Sequence, residues 1–231
     1  MAGIYIHIPF CRAKCRYCDF TSYPGKIGFA EAYMACVYKE MKLRSAELRE
    51  KTFDTVYFGG GTPSVIDAKW IVGCMNQLRR CYVLAEDAEV TIEINPGTAE
   101  RSKIDAYKKA GIRRFSVGLQ VANDALLEDV GRVHTVADFV ETCRLIGTGN
   151  FSADAMIGLK GQTFADIERT IRLAAECGAS HISLYALTPE DGTPIYTDYL
   201  NGELPDEDEV AEQYEKACAL LASLGFRRYE V

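Results

Sequence analysis

Three cysteines fall within eight residues near the start of the chain, at Cys11, Cys15 and Cys18. Three thiolates can hold three irons of a 4Fe-4S cluster and leave the fourth iron open to an exogenous ligand. A structural zinc needs a fourth protein ligand, which Asp19 or His7 could supply, so the spacing leaves zinc and metal-free thiols as alternatives. The pattern favours an open iron–sulfur cluster that takes part in a reaction.

The composition of the whole chain indicates a cellular compartment and disfavours some classes of partner. The 231 residues include nine cysteines, and the start of the chain carries no basic leader, so we expect reduced thiols in a cytoplasmic protein. A net charge of -7 without a basic stripe disfavours nucleic-acid binding. No apolar run approaches the roughly 18 residues of a membrane span. Six scattered cysteines are predicted to fill small spaces in the core, namely Cys36, Cys74, Cys81, Cys143, Cys177 and Cys218.

Six apolar runs rich in β-branched and aromatic residues predict the strands that would position a site. They are Ile4–Pro9, Thr55–Phe58, Val90–Ile94, Arg114–Val117, Ser152–Ile157 and His181–Leu187. Helical patterns lie between them, including long helices predicted over about 29–50 and 206–224. Alternating strands and helices predict a parallel sheet in an α/β fold, either doubly wound or a partial barrel.

The ends of the helices are marked by capping residues and glycines. Three hydroxyl residues each precede a carboxylate by three positions, which predicts helix N-termini at Ser64 with Asp67, Thr135 with Asp138, and Thr163 with Asp166. Helices are predicted to stop at Gly111, Gly131, Gly178 and Gly225. Buried helical stripes are predicted at Trp70, Ile71, Cys74 and Leu78, at Val136, Phe139, Val140 and Cys143, and at Ile167, Ile171 and Ala174.

Polar and glycine-rich segments follow the predicted strands. The cysteine cluster follows the first strand, Gly59–Gly61 the second, and Glu93 lies at the end of the third. Gln120, Asp154 and Tyr185 with Ala186 lie at or near the ends of the last three. Because ligands gather at the carboxyl ends of parallel strands, these residues predict one binding site.

The segment Cys11-Arg12-Ala13-Lys14-Cys15-Arg16-Tyr17-Cys18 resembles the CxxxCxxC loop of the radical S-adenosylmethionine (SAM) superfamily. Five further segments narrow the resemblance to the oxygen-independent coproporphyrinogen III oxidase family and its heme-chaperone branch of the HemW type. They are Tyr5–Phe10, Phe58–Ser64, Glu93–Pro96 and Gly118–Gln120 with Gly131–His134. The resemblance implies a partial (β/α)6 TIM-like barrel, with residues 1–231 as one radical SAM core domain that lacks the C-terminal domain of the family.

The resemblance also implies cofactors and site residues. Cys11, Cys15 and Cys18 would bind the 4Fe-4S cluster, and SAM would contact Tyr5, Tyr17, Gly60, Gly61, Thr62, Glu93, Gln120, Arg132, Asp154 and Ala186. Heme is a further candidate ligand. The implied partners are an electron donor such as flavodoxin or ferredoxin, and heme or a porphyrinogen. No protein general acid or base is implied, because the reactive chemistry belongs to the cofactor.

The residue after Asp19 distinguishes the two branches of the family. The oxidase carries a further cysteine at the position occupied by Phe20, whereas Asp19-Phe20 matches the chaperone branch. The resemblance therefore implies a heme chaperone in porphyrin metabolism, without decarboxylase activity, and the oxidase is the alternative. Lys160 and Val121 depart from the family pattern near the site.

Overall fold

The computed structural model describes residues 2–48, 51–147 and 150–230. The strands in these ranges are β1 Gly3–Ile8, β2 Phe10–Cys11, β3 Tyr23–Pro24, β4 Thr52–Gly60, β5 Val83–Ile94, β6 Arg114–Gln120, β7 Phe151–Ile157 and β8 His181–Ala186. The α-helices are α1 Ala30–Ser45, α2 Ala68–Cys81, α3 Arg101–Lys109, α4 Asp124–Asp129, α5 Val136–Ile146, α6 Phe164–Glu176, α7 Pro194–Leu200 and α8 Glu207–Ser223.

The six predicted strands are confirmed, and they form one sheet in the order β1-β4-β5-β6-β7-β8. The pairs β1 with β4, β4 with β5, and β7 with β8 are parallel. The backbone contacts divide the chain into two compact units. The first unit contains the chain up to Arg12 and Phe20–Ser116, and the second contains Ala13–Asp19 and the chain from Val117 onward. No helix in the described ranges is long and apolar enough to cross a membrane.

The first unit has its core along β1, β4 and β5. Ile8, Phe58 and Ile92 are fully buried there, as the apolar runs predict. In α2, Ile71 and the other predicted stripe residues are buried, whereas Trp70 is only partly buried. Burial of this stripe stabilises α2, which follows the glycine-rich end of β4, because packing of an amphipathic face stabilises a helix more than intrinsic propensity does.

The helix start predicted at Ser64 is wrong. Asp67 is the N-cap of α2, and its carboxylate accepts a hydrogen bond from the Lys69 N–H at 2.9 Å. Ser64 lies in a short 3-10 helix, Pro63–Val65, and its hydroxyl lies 2.6 Å from the Thr98 hydroxyl. Both residues are good caps. The backbone is extended at Ile66, after this 3-10 helix, so α2 begins only after Asp67 and the carboxylate caps it.

The long helix predicted over 29–50 is shorter, because α1 ends at Ser45 and Glu47 bonds back to Arg44 in a tight turn. Glu50 lies outside the described residues. Cys36 on α1 is exposed, so its predicted role in the core is wrong, whereas Cys74 and Cys143 are buried as predicted.

The second unit confirms both threonine capping boxes. Thr135 and Thr163 each bond to the carboxylate residue three positions on, at the starts of α5 and α6. Ile167, Ile171 and Ala217 pack with Ile157 in one buried cluster that joins α6 and α8 to β7. In α5 the predicted stripe is wrong at Val140, which is 42% exposed. All four predicted stop glycines have positive φ.

The capping box of α6 gives a stability prediction with a defined pH dependence. The Asp166 carboxylate accepts hydrogen bonds from the Thr163 N–H at 3.0 Å, the Thr163 hydroxyl at 2.7 Å and the Asn123 amide at 3.0 Å. Burial raises the pKa of Asp166, but the hydrogen bonds from Asn123 and Thr163 lower it more, so it lies below its ordinary value. We expect Asp166→Ala to lower the free energy of unfolding by about 1–2 kcal/mol at pH 7.

Because the folded-state pKa is lowered, this stabilisation is present above the ordinary pKa of Asp, roughly 3.9, and is lost as the pH falls through the folded-state value. Urea unfolding of the variant and the parent at a series of pH values measures the difference. Asp138→Ala removes the matching, more exposed capping box of α5 and should cost less. A difference that stays constant into acid would contradict the assigned role of the carboxylate.

Candidate functional site

The turn after β4 brings backbone close to Cys11 in the first unit. The Gly61 N–H donates to the Ile8 carbonyl at 2.9 Å, and the Thr62 N–H donates to the Phe10 carbonyl at 2.7 Å. A Cβ atom at Gly61 would lie 2.7 Å from the Phe10 carbonyl oxygen and 3.0 Å from Cys11 Sγ. Gly60 has φ +115°, a conformation that favours glycine. The sequence therefore needs glycine at both positions for the backbone to pass this close to the cysteine.

Thr62 connects this turn to the end of β5. Its side chain is buried, and its Oγ1 lies 3.6 Å from Cys11 Sγ. The same oxygen accepts a hydrogen bond from the Asn95 amide at 3.0 Å. Asn95 thus orients the hydroxyl that lies beside the cysteine sulfur. Asn95 belongs to the Glu93–Pro96 motif but was not among the predicted site residues.

Glu93 brings a negative charge to the same turn. Its carboxylate accepts hydrogen bonds from the Tyr57 hydroxyl at 2.9 Å and from the Gly60 N–H at 3.2 Å. The Tyr5 ring stacks on Tyr57 with centroids 6.1 Å apart. Burial raises the pKa of Tyr5, and the negative charge of Glu93 raises it further. The structure therefore joins Tyr5, Gly60 and Glu93 in one group within the first unit.

His7 is held by protein oxygen atoms. Its Nδ1 lies 3.1 Å from the Tyr5 hydroxyl, and its Nε2 lies 2.8 Å from the Thr21 carbonyl oxygen. As a zinc ligand, His7 would give up one of these contacts. The structure thus favours a structural role for this side chain.

In the second unit, Arg132 lies beside one of the loop cysteines. Its Nη1 donates to Cys15 Sγ at 3.7 Å, and its Nη2 donates to the Gly118 carbonyl at 2.7 Å. The Cys18 N–H donates to the Cys15 carbonyl at 3.2 Å and closes a turn between the two cysteines. A guanidinium beside a cysteine sulfur stabilises the thiolate, which is the form that binds metal.

Tyr17 and Tyr185 lie in the same electrostatic environment. Burial raises the pKa of Tyr17, which packs against the buried cluster of Val121, Leu127 and Met156. Burial also raises the pKa of Tyr185, and the negative charge of Asp154 raises it further. For Arg132, burial lowers the pKa, but Tyr17 and Cys15 raise it more. The charges of Tyr17, Cys15 and Tyr185 therefore all act on the guanidinium of Arg132.

Gln120 has an uncommon backbone conformation at the end of β6. Its φ is +69°, the only positive value for a residue other than glycine among the residues described. Its side chain is buried, and its Oε1 accepts a hydrogen bond from the Tyr185 hydroxyl at 2.6 Å. Such strained residues cluster at functional sites, because the surrounding structure must hold them in place. Ala186 follows Tyr185 and pairs with Ile157 at the exposed end of β8.

The structure gathers the predicted residues into two groups, one in each unit. The first-unit group contains Tyr5, Cys11, Gly60, Gly61, Thr62 and Glu93, and the second-unit group contains Cys15, Tyr17, Gln120, Arg132 and Asp154. Over residues 2–48, 51–147 and 150–230, no three His, Cys, Asp or Glu side chains converge closely enough to hold a metal ion.

The donor chemistry nevertheless fits an iron–sulfur cluster better than zinc. Cys11 Sγ has a hydroxyl neighbour and Cys15 Sγ has a guanidinium neighbour, and hydrogen bonds to sulfur are typical of cluster ligands. The fourth protein ligand that structural zinc requires would have to come from Asp19 or from His7, which is already bonded. The residues therefore fit a cluster held by three thiolates.

Comparison with known proteins agrees with this chemistry. The sequence profile described as the radical SAM superfamily matches residues 5–174. Heme chaperone HemW of Buchnera aphidicola subsp. Schizaphis graminum is 35% identical over 233 residues, which cover 99% of this chain and 61% of that protein. Heme chaperone HemW of Bacillus subtilis is 35% identical over 237 residues, which cover 100% of this chain and 62% of that protein. The chain thus spans about three fifths of the length of these curated relatives.

A solved structure agrees with the fold. Coproporphyrinogen III oxidase (HemN) from Escherichia coli superposes with a TM-score of 0.88 at 22% identity, over 98% of this chain and 53% of that chain. At this identity the likeness shows the fold alone, and it confirms the predicted α/β fold of the radical SAM type. Because the superfamily profile covers most of the chain, the chain belongs to the radical SAM superfamily, whose members use a 4Fe-4S cluster and SAM.

Proposed function

We propose that Cys11, Cys15 and Cys18 bind three irons of a 4Fe-4S cluster and leave the fourth iron for SAM. The three thiols lie on one eight-residue loop. Thr62 lies beside the first sulfur and Arg132 beside the second, so both sulfurs have polar neighbours that stabilise a thiolate. When bound, the cluster supplies the electron that cleaves SAM reductively. The protein contributes binding, orientation and the exclusion of water.

The first-unit group would bind the charged and polar atoms of SAM. Gly60 and Gly61 let the backbone approach the ligand closely, because neither carries a Cβ. The Glu93 carboxylate, oriented by Tyr57 and the Gly60 N–H, would pair with the ammonium group of SAM. Thr62 and Tyr5 would complete this side with a hydroxyl and an aromatic contact.

The second-unit group would bind the remaining SAM atoms. Arg132 would pair with the SAM carboxylate, because it is the cation that lies beside Cys15. Gln120 has its carbonyl oxygen bonded to Tyr185, which leaves its amide N–H groups as the donors for SAM. Asp154 would accept from the ribose hydroxyls. Tyr17 and Ala186 would contact SAM beside the loop and beside adenine.

We further propose that the whole protein is a heme chaperone of the HemW type, and not a coproporphyrinogen oxidase. This proposal rests on the identity of the residue two positions after the last loop cysteine. Phe20, with its side chain 69% exposed, stands where the oxidase carries a further cysteine. The two relatives named as heme chaperones support the same branch. A flavodoxin or ferredoxin would supply the electron, and heme would be the bound cargo.

The proposal predicts SAM binding without porphyrinogen turnover. In anaerobically reconstituted protein, SAM should change the electron paramagnetic resonance (EPR) signal of the reduced cluster, while no protoporphyrinogen forms from coproporphyrinogen with SAM and a reductant. Titration of the full gene product with heme, followed by the absorption spectrum, should show saturable binding. Measurable decarboxylation would contradict the chaperone proposal and favour the oxidase.

A further inference from the structure

Arg16, inside the cysteine loop, makes an ion pair with a residue far along the chain. Its Nη2 lies 2.9 Å and 2.8 Å from the two carboxylate oxygens of Asp198, in α7. Its Nη1 donates to the Asp129 carbonyl at 3.0 Å and lies 3.5 Å from the Asp129 carboxylate. All of these residues belong to the second unit. The side chain thus links the loop to α7 and to the end of α4.

Two backbone hydrogen bonds also hold Arg16 next to the end of α4 and the start of α7. Its N–H donates to the Val130 carbonyl at 3.0 Å, and its carbonyl accepts from the Ile195 N–H at 3.0 Å. Gly131, with φ +75°, lies against this stretch, and a Cβ there would lie 3.4 Å from the Arg16 nitrogen. Arg16 is therefore held by side chain and backbone together, between the end of α4 and the start of α7.

This ion pair differs from the ordinary surface pairs of the unit. The Asp198 side chain is only 10% exposed and that of Arg16 is 31% exposed, whereas Arg144 and Glu141 on α5 are 75% and 49% exposed. Exposed pairs contribute little, but removing one partner of a buried pair leaves an uncompensated charge. The Arg16–Asp198 pair is thus expected to constrain the loop, and the pair on α5 is not.

We propose that Arg16 and Asp198 are positioning residues that hold the part of the loop carrying Cys15 and Cys18. The inference rests on the proposed function in one respect, because it takes these two cysteines as cluster ligands. Neither Arg16 nor Asp198 binds the cluster. Their contacts restrict the loop before the cluster is present, so that the two thiols are preorganised and the irons are released slowly. A helix that follows the last strand therefore controls how firmly the cluster is held.

The test measures loop mobility and cluster retention separately. In apoprotein, Asp198→Asn and Arg16→Gln should each speed thiol labelling of Cys15 and Cys18 by about tenfold, the change expected for one lost charge-assisted hydrogen bond. Release of iron from reconstituted protein to a chelator should speed up by a similar factor. Because Asp198 acts through Arg16, which also contacts Asp129, the double variant should be no faster than Arg16→Gln alone. Arg16→Lys, which keeps the charge, should fall between wild type and Arg16→Gln.

Controls within the chain separate positioning from general unfolding. Cys36, exposed on α1 in the first unit, should be labelled at the wild-type rate in every variant. Arg144→Gln breaks an exposed pair of the same type and should change neither rate. Wild-type labelling at Cys15 and Cys18 in the variants, or equal acceleration at Cys36, would overturn the proposal. Wild-type protein that takes up no cluster would instead overturn the proposed function, while apoprotein labelling would still decide the role of the ion pair.

Discussion

Replacing Cys11, Cys15 and Cys18 together with alanine is expected to abolish the iron–sulfur chromophore completely. In the proposed site each thiolate would supply one of the three protein bonds to the cluster, and the polar neighbours at Thr62 and Arg132 could not replace them. Iron and sulfide content after anaerobic reconstitution, together with the EPR signal, measures the loss. The fold should persist, because Cys15 and Cys18 lie in a partly exposed loop and only Cys11, a small side chain, is buried.

A matched triple variant serves as the control for this loss. Cys36, Cys81 and Cys218 lie outside the loop, and none of them is fully buried. Their replacement with alanine should leave iron and sulfide at wild-type content. Cluster that survives in the loop variant, or disappears only in the control variant, would show that the ligands are other residues. Circular dichroism of both apoproteins checks that the two variants remain folded.

The strands and most helix ends could be predicted because their signals are local. A β-branched run such as Val90–Ile94 forms a strand wherever it can be buried on both faces, and Thr163 with Asp166 caps α6 through residues three positions apart. The errors arise where a distant residue intervenes. Ser64 lies in a separate 3-10 helix before α2 and bonds to Thr98, a contact that the local sequence does not encode.

The same distinction applies to the candidate site. Cysteine spacing and glycine-rich turns are visible in the sequence, and the structure joins them to the predicted polar residues within each unit. The contacts that orient the site were not predicted, because they join residues over long separations. Asn95 orients Thr62, Tyr185 bonds to Gln120, and Asp198 pairs with Arg16 from 182 positions away. No local pattern specifies these contacts.

Removing the charge of Glu93 or Arg132 is expected to weaken SAM binding by roughly ten- to a hundredfold, the loss that corresponds to about 1.5–3 kcal/mol for one charge-assisted hydrogen bond. The Glu93 carboxylate is oriented by Tyr57 and by the Gly60 N–H, so Glu93→Ala removes a preorganised negative charge. Arg132→Ala removes the cation beside Cys15. Anaerobic calorimetric titration of reconstituted protein with SAM measures both losses.

The two variants should differ when SAM is absent, and this difference tests the residue assignments. Arg132 donates to Cys15 Sγ, so its loss should change the EPR signal of the reduced cluster before SAM is added. The Glu93 carboxylate accepts hydrogen bonds from the Tyr57 hydroxyl and the Gly60 N–H, so Glu93→Ala should change that signal less than Arg132→Ala does. Glu89→Ala, which removes an exposed carboxylate from the same strand, should preserve SAM affinity. Unchanged affinity in both the Glu93 and Arg132 variants would show that SAM is bound by other groups.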